Sequence, residues 1–280
     1  MALIPQNQTN LANYIPTIWS KEVQAAVEDA LVIAVRCDRR YDKYAKGGGS
    51  TIVVPVLSNL SALAYNASAD ISVTTTTEAA VNIAINQRYY TAYGVDPYTQ
   101  VQDALDYLSL AKDKAVFAMA EQMDTSLGSL FASFSQYTGT EASAIDETNI
   151  IAAYEILNEG NAPFTDRSWI FDPESITDLL GRDFFVRMDY IPDSVVNNGF
   201  QGRQILGAPV YMTNNLPAVN TSYHAAAYMQ REALAIVTQI PPTIKALSLP
   251  HKLSEGIACI ALWGVKEMRD GFGCWIRTRS

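Results

Sequence analysis

KGGGSTIVVPV, residues 46–56, sets Gly47, Gly48 and Gly49 immediately ahead of a β-branched apolar run. Two readings compete for those glycines: a loop that cradles a phosphate, or a hinge for an element that swings out of the domain. A phosphate loop lies between a strand and a helix, with its glycines and free amides at the helix N-terminus. Here the order is reversed. Trp19, Val23, Ala26, Val27, Ala30 and Leu31 repeat at helical spacing before the glycines, and Thr51–Leu57 reads as a strand after them. No Lys-Ser or Lys-Thr follows to hold a β- or γ-phosphate. The nucleotide reading fails.

The strand that leaves the glycines has a partner further on, where Val81, Ile83 and Ile85 alternate with Asn82, Ala84 and Asn86. Between the two lie SNLSALAYNASADISVTTTTEA, residues 58–79, with no helical period. So long an excursion is uncommon inside a compact domain. A lone two-stranded ribbon is marginal in water, so its apolar face needs cover, and a second copy of the chain is one source. Residues 1–17 are polar and aperiodic and read as an arm. Asp96-Pro97 supplies an N-cap and a first-turn proline. Val101, Ala104, Leu105, Leu108, Ala115, Met119, Leu127 and Leu130 then carry a helical stripe to Ser133. That predicts a helix of about 36 residues, about 54 Å long at 1.5 Å per residue. Short elements follow: a helix over 148–158, one over 173–180 capped by Asp172-Pro173, strands at 169–171, 233–237 and 257–265, a polar loop over 190–200, a strand or hairpin at 204–206 and 210–212, and a last strand over 271–278. Strands and helices mix without a βαβ rhythm, which predicts an α+β fold.

The bulk properties narrow the function. The chain has 280 residues, 49% of them apolar, and a net charge of −9. That is enough to fill a core, and it gives no general attraction to nucleic-acid backbones or anionic membranes. Arg39, Arg40, Lys43 and Lys46 form only a short basic run. No window is long and apolar enough to span a membrane, and the N-terminus lacks the pattern of a signal peptide, so a soluble, intracellular protein is expected. Cys37, Cys259 and Cys274 have no framework spacing and read as small buried groups. His224 and His251 have no ligand at metal spacing. Gly271-Phe-Gly273 lacks the rest of a dinucleotide fingerprint, and no G-x-S-x-G is present. Asp103, Asp106 and Asp113 read as solvating. Tyr89, Tyr90 and Tyr93 could form a sugar or base platform, although packing is the better reading. No cofactor, metal or catalytic constellation is expected. A soluble enzyme built on a carboxylate pair stays open, since spatial proximity is invisible in sequence.

Taken in order, several stretches resemble the major capsid proteins of tailed double-stranded DNA bacteriophages, with the Hong Kong 97-type fold. They are IPTIWSKEVQAAVEDALVIAVRCDRRY (15–41), GGGSTIVVPVL (47–57), INQRYYTAYGVDPYTQVQ (85–102), GRQILGAPVYMTNNLP (202–217), ALAIVTQI (233–240) and ALWGVKEMRDG (261–271). The resemblance implies an N-terminal arm over 1–17, a first-helix region over 18–46 and an extended β-loop over 47–95. A peripheral domain with the spine helix would follow over 96–140, then an axial domain over 141–250 and C-terminal strands returning to the peripheral domain over 251–280. Gly47, Gly48 and Gly49 become the hinge of the loop. Tyr14, Ile15, Trp19, Leu60, Leu63, Tyr65, Ile71 and Val73 are the implied contacts with neighbouring subunits.

The implied function is a structural, non-enzymatic shell subunit of the virion, assembled in the host cytoplasm. Its partners are other copies, as hexamers and pentamers, around double-stranded DNA that it encloses without reading sequence. Some members weld the loop to a neighbour through a lysine, but this chain has no lysine between Thr51 and Tyr90. The resemblance therefore implies a non-covalent shell, with a separate scaffolding protein, a portal and a possible cement protein. A cellular encapsulin-type compartment shares the fold and is the alternative shell.

Overall fold

The structure is a computed structural model that describes residues 31–57, 62–64, 70, 78–95, 107–141, 143–182, 204–220, 223–249 and 254–279. The expected arm, the helix from Trp19, the Asp96-Pro97 cap and the 190–200 loop lie outside these residues.

Alternation builds the sheet that backs the long helix. In β11 (Ser254–Glu267) every second residue, Ile257, Cys259, Ala261 and Trp263, is buried. These face the long helix α2 (Tyr107–Gly128), whose buried stripe of Ala115, Met119, Ala120, Met123 and Leu127 follows the helical repeat. On one side β11 pairs antiparallel with β3 (Gln87–Val95), and on the other with β10 (Leu234–Leu249). The sequence predicts a strand only to Val237. β10 instead runs on for 16 residues, through Pro241 and Pro242. Its register shifts between Thr238 and Ile240 and again between Ile240 and Thr243, which lets the ladder pass prolines that cannot donate to it. α2 also ends earlier than the Ser133 expected. Gly128 approaches Pro217 and the Asn215 carbonyl, and one 3-10 turn, Phe131–Ser133, completes the apolar stripe.

The second sheet has seven strands. Its main path is β4 (Tyr137–Thr138), β12 (Gly273–Arg279), β9 (Tyr223–Gln230), β5 (Arg167–Phe171), β7 (Ala208–Met212) and β6 (Gln204–Ile205), with β8 (Ala218–Asn220) on β9. Both faces are covered, so β9 reads as a nearly continuous apolar run. Ala225, Ala227 and Met229 join the core around α2, while Ala226 and Tyr228 join a core beneath α3 (Glu147–Glu159) and α4 (Pro173–Leu180). Asp146 and Asp172 cap these two helices by accepting from the amides of Asn149 and Ser175. The mixture is α+β.

Sheets and sequence divisions do not coincide. β10 falls within the expected axial stretch 141–250, yet it pairs in the α2 sheet. β12 falls within the stretch 251–280 expected to return to the peripheral domain, yet it lies between β4 and β9. β3 ends the stretch assigned to the extended loop, yet it also pairs with β11. Two crossings account for β10 and β12: 3-10 turns at Arg231–Ala233 and Asp270–Phe272 carry the chain from one sheet to the other and back. The Met268 amide ties them by donating to the Ala233 carbonyl at 2.8 Å.

Candidate assembly ribbon and its root

The chain enters the ribbon through a 3-10 turn (Ala34–Arg36), a single helical turn α1 (Asp42–Ala45) and the three glycines. Both lie within the first-helix region expected over 18–46, which from residue 31 on is short turns in place of a continued helix. Gly48 and Gly49 have φ of +90° and +105°, and a β-carbon at either would meet nothing within 4 Å. Backbone conformation, not lack of space, therefore requires glycine there. The Gln239 side-chain amide donates to the carbonyls of Ala45 (3.2 Å) and Gly49 (3.0 Å), one on each side of the bend. The Thr238 amide, at the β10 register shift, donates to Asp42 Oδ1 at 2.8 Å. Asp38 and Leu234 are joined through the Asp38 amide at 2.9 Å, and the Ile236 amide donates to the Asp38 carbonyl at 3.1 Å. The glycines bend a chain that is bolted to β10.

Beyond them β1 (Thr51–Leu57) and β2 (Glu78–Ala84) form an isolated antiparallel pair, from Thr51 opposite Ala84 to Leu57 opposite Glu78. Opposed residues share a face, so Ile52 lies with Ile83, Val54 with Val81 and Val56 with Ala79. Near the root this face is core: Ile83 is fully buried and packs with Ile85, Ala45, Ala235 and Val237. Cover then fades. Val54 and Val81 are half-buried, and Val56 and Ala79 are exposed. On the other face Val53 is 60% exposed. Of the implied contact residues, Leu63 is 61% exposed, while Tyr14, Ile15, Trp19, Leu60, Tyr65, Ile71 and Val73 lie outside the described residues.

A cleft of about 220 Å³ opens under the ribbon between Val54, Pro55 and Val56 and a charged floor. There Arg40 clasps the buried Asp38 through Nε at 3.0 and 2.8 Å and reaches Glu232 at 3.0 Å. Arg269 meets the other Glu232 oxygen at 3.7 Å. Every charge in this floor is paired, so it supports the ribbon and leaves no nucleophile or free acid.

Asp124, fully buried near the C-terminal end of α2, accepts from three successive amides: Val32 at 2.8 Å, Ile33 at 3.2 Å and Ala34 at 3.1 Å. It fastens the segment that precedes the ribbon to the long helix. Burial pushes its carboxyl above the usual range, against the three amides that pull it down.

The other chemical candidates are absorbed by packing. Burial pushes the Cys259 thiol up to about 11 and Cys274 up to about 12, and it pushes Cys37 higher still. Thiolates do not form there near neutral pH. His224 Nδ1 lies 3.2 Å from the Leu216 carbonyl, and His251 lies outside the described residues. Among the described residues no group of His, Cys, Asp and Glu is placed to hold a metal. Glu267 and Asp270 are neighbours, but Ser133 donates to the first at 2.8 Å and the Ser135 amide to the second at 2.7 Å. Tyr89 stacks on Trp263 at 5.1 Å, as the packing reading expects. Tyr90, 77% exposed, does not pack, because β3 turns it to the sheet face away from α2.

No family model and no curated protein matches the sequence. Solved structures do. A chain from the structure of Mycobacterium phage Che8 superposes with a TM-score of 0.76 at 20% identity, over 88% of this chain and 90% of its own. A chain of the cyanophage P-SCSP1u capsid gives 0.68 at 14% identity, over 82% and 84%. One from the capsid of a native GTA particle gives 0.65 at 12% identity, over 83% and 86%. This chain has the Hong Kong 97-type capsid fold. Sequence reading missed the fasteners of this capsid fold: Asp124, Gln239 and the Asp38–Arg40–Glu232 floor. Each joins residues far apart in the chain, and no local pattern marks them.

Proposed function

We propose that this protein is the major capsid protein of a tailed double-stranded DNA bacteriophage, a structural subunit with no catalytic role. The observation that carries this reading is the ribbon: an apolar face rooted in the core at Ile83 that loses its cover by Val56 and Ala79, on a body with a capsid fold. Burying that face on a neighbouring copy removes apolar surface from water and completes a ribbon that a single chain leaves half-covered. In this reading Gly47–Gly49 set the angle of the extended loop, α2 is the spine, and copies meet as hexamers and pentamers around DNA. A net charge of −9 suits a wall that must let DNA move past it. A ribbon without lysine between Thr51 and Tyr90 leaves burial, strand pairing and ion pairs to hold the shell. A separate scaffolding protein, a portal and a cement protein complete the proposal, with the virion as the final location and the host cytoplasm as the place of assembly.

Electron microscopy and sedimentation of the expressed chain test it. Shells, sheets or megadalton particles are expected, and deletion of residues 58–78 should leave a folded subunit that assembles poorly. A small, well-behaved oligomer with no ordered assemblies, or normal shells from the deletion variant, would overturn it.

A further inference from the structure

Away from the ribbon, a cleft of about 200 Å³ is lined by three arginines, Arg36, Arg167 and Arg231, and one acid, Asp166. Arg167 is buried. Its donors go to the carbonyls of Pro163 (2.9 Å) and Ala162 (2.6 Å), to Asn158 Oδ1 (2.9 Å) and to the Tyr228 hydroxyl (3.4 Å). All four acceptors are neutral, so the positive charge is held by dipoles and by the Phe164 ring at 4.4 Å, with no carboxylate paired to it among the described residues. The Arg36 guanidinium carbon lies over the Tyr211 ring, 4.0 Å from its centroid, and its Nε is buried without an acceptor among the described residues. Arg231 makes no side-chain hydrogen bond among the described residues and stands at the exposed edge. Asp166, solvent-exposed, joins none of the three in an ion pair. Two apolar side chains rim the opening, Val35 and the 72% exposed Phe164.

Burying cationic groups without a counter-charge costs free energy, and a planar guanidinium pre-set on an aromatic ring suits a carboxylate. We propose that this cleft is a binding site for a carboxylate, presented by an acidic segment of a second copy of this chain. Charge complementarity selects that occupant. The chain carries 29 acidic against 20 basic residues, so copies brought together repel unless acids on one are received by cations on the next. The proposal rests on the shell reading for its occupant but not for its ligand chemistry, so the two can fail separately.

The variants are Arg231→Gln, Arg36→Gln, the double variant, and Arg36→Lys, which keeps the charge and loses the planar fork. A matching thermal midpoint establishes that each variant folds, and Arg231→Gln at the exposed edge carries the test if Arg36→Gln does not fold. Sedimentation against subunit concentration should show half-assembly moved up by about tenfold or more in the double variant, with a flatter salt dependence. Arg36→Lys should fall between. Fluorescein-labelled oligoglutamate should bind the wild-type protein by anisotropy and lose that binding in the double variant. Should the wild-type chain form no particles, the shell reading fails, and the oligoglutamate result alone decides the carboxylate site. The proposal is overturned if the variants assemble at wild-type concentration with wild-type salt dependence. It is equally overturned if labelled single-stranded DNA, and not oligoglutamate, binds in a cleft-dependent way.

Discussion

Replacing Asp124 should loosen the chain just ahead of the ribbon. Its two oxygens divide three donors: Oδ2 takes the Val32 amide, and Oδ1 takes those of Ile33 and Ala34. Asp124→Ala leaves all three without an acceptor, two of them fully buried. A buried unpaired amide costs about 1–3 kcal/mol, so the two buried amides together cost about 2–6 kcal/mol and the half-hydrated one adds less than either. That is a large part of the roughly 5–15 kcal/mol by which domains are stable. Asp124→Asn separates the contributions. Its carbonyl can keep Ile33 and Ala34, while its amide turns a donor toward Val32, for a loss of about 1.5–3 kcal/mol. Urea unfolding of unassembled subunits measures both. Amide hydrogen exchange locates them, with Ile33 and Ala34 exchanging faster in the alanine variant and near wild-type rates in the asparagine variant. A loss below about 1 kcal/mol in Asp124→Ala, or protection of Ile33 and Ala34 unchanged, would refute the reasoning.

The remaining predictions concern the bend, the ribbon face and a helix cap. Gly49→Ala forces an L side chain to φ of +105° and should cost about 1–2 kcal/mol in thermal unfolding, whereas Gly47→Ala, at an ordinary φ, should cost less than half as much. Val56→Asp, on an exposed position, should leave subunit stability within about 0.5 kcal/mol and abolish particles seen by microscopy; normal particles would remove the ribbon face from assembly. Asp146→Ala should cost about 1 kcal/mol at neutral pH through loss of the α3 cap. The Thr148 hydroxyl holds the Asp146 carboxyl below its ordinary 3.8, so its contribution is full above 3.8 and lost as pH falls through the depressed value. The gap between wild type and variant should therefore close at low pH in a series of unfolding curves, and a gap that persists would assign the effect to packing.

What could be read in advance was what short-range patterns encode. The glycines, the β-branched run of β1, the β2 alternation, the α2 stripe and the Asp172-Pro173 cap each announce an element within a few residues, because side-chain period and backbone preference are local. What could not be read was decided across the chain. β10 continues past its prolines because β11 offers a ladder that tolerates two register shifts. β12 joins the far sheet because the Asp270–Phe272 turn sends it there, and nothing in GCWIRTR distinguishes one sheet from the other. The root was the least legible part. The glycines were read as a hinge from their place before the strand, but Thr238 and Gln239, which hold the chain on either side of them, carry no local mark.

That separation has a consequence for biosynthesis. Asp42 and Thr238 are 196 positions apart, and Arg40 and Glu232 are 192 apart. At about 5–20 residues per second, a ribosome needs roughly 10–40 s between making one half of each pair and the other. For most of that interval, once Ala84 has been made, the ribbon has been translated but has no footing. The root of the ribbon therefore closes late in synthesis, when the emerging β10 supplies Thr238 to Asp42.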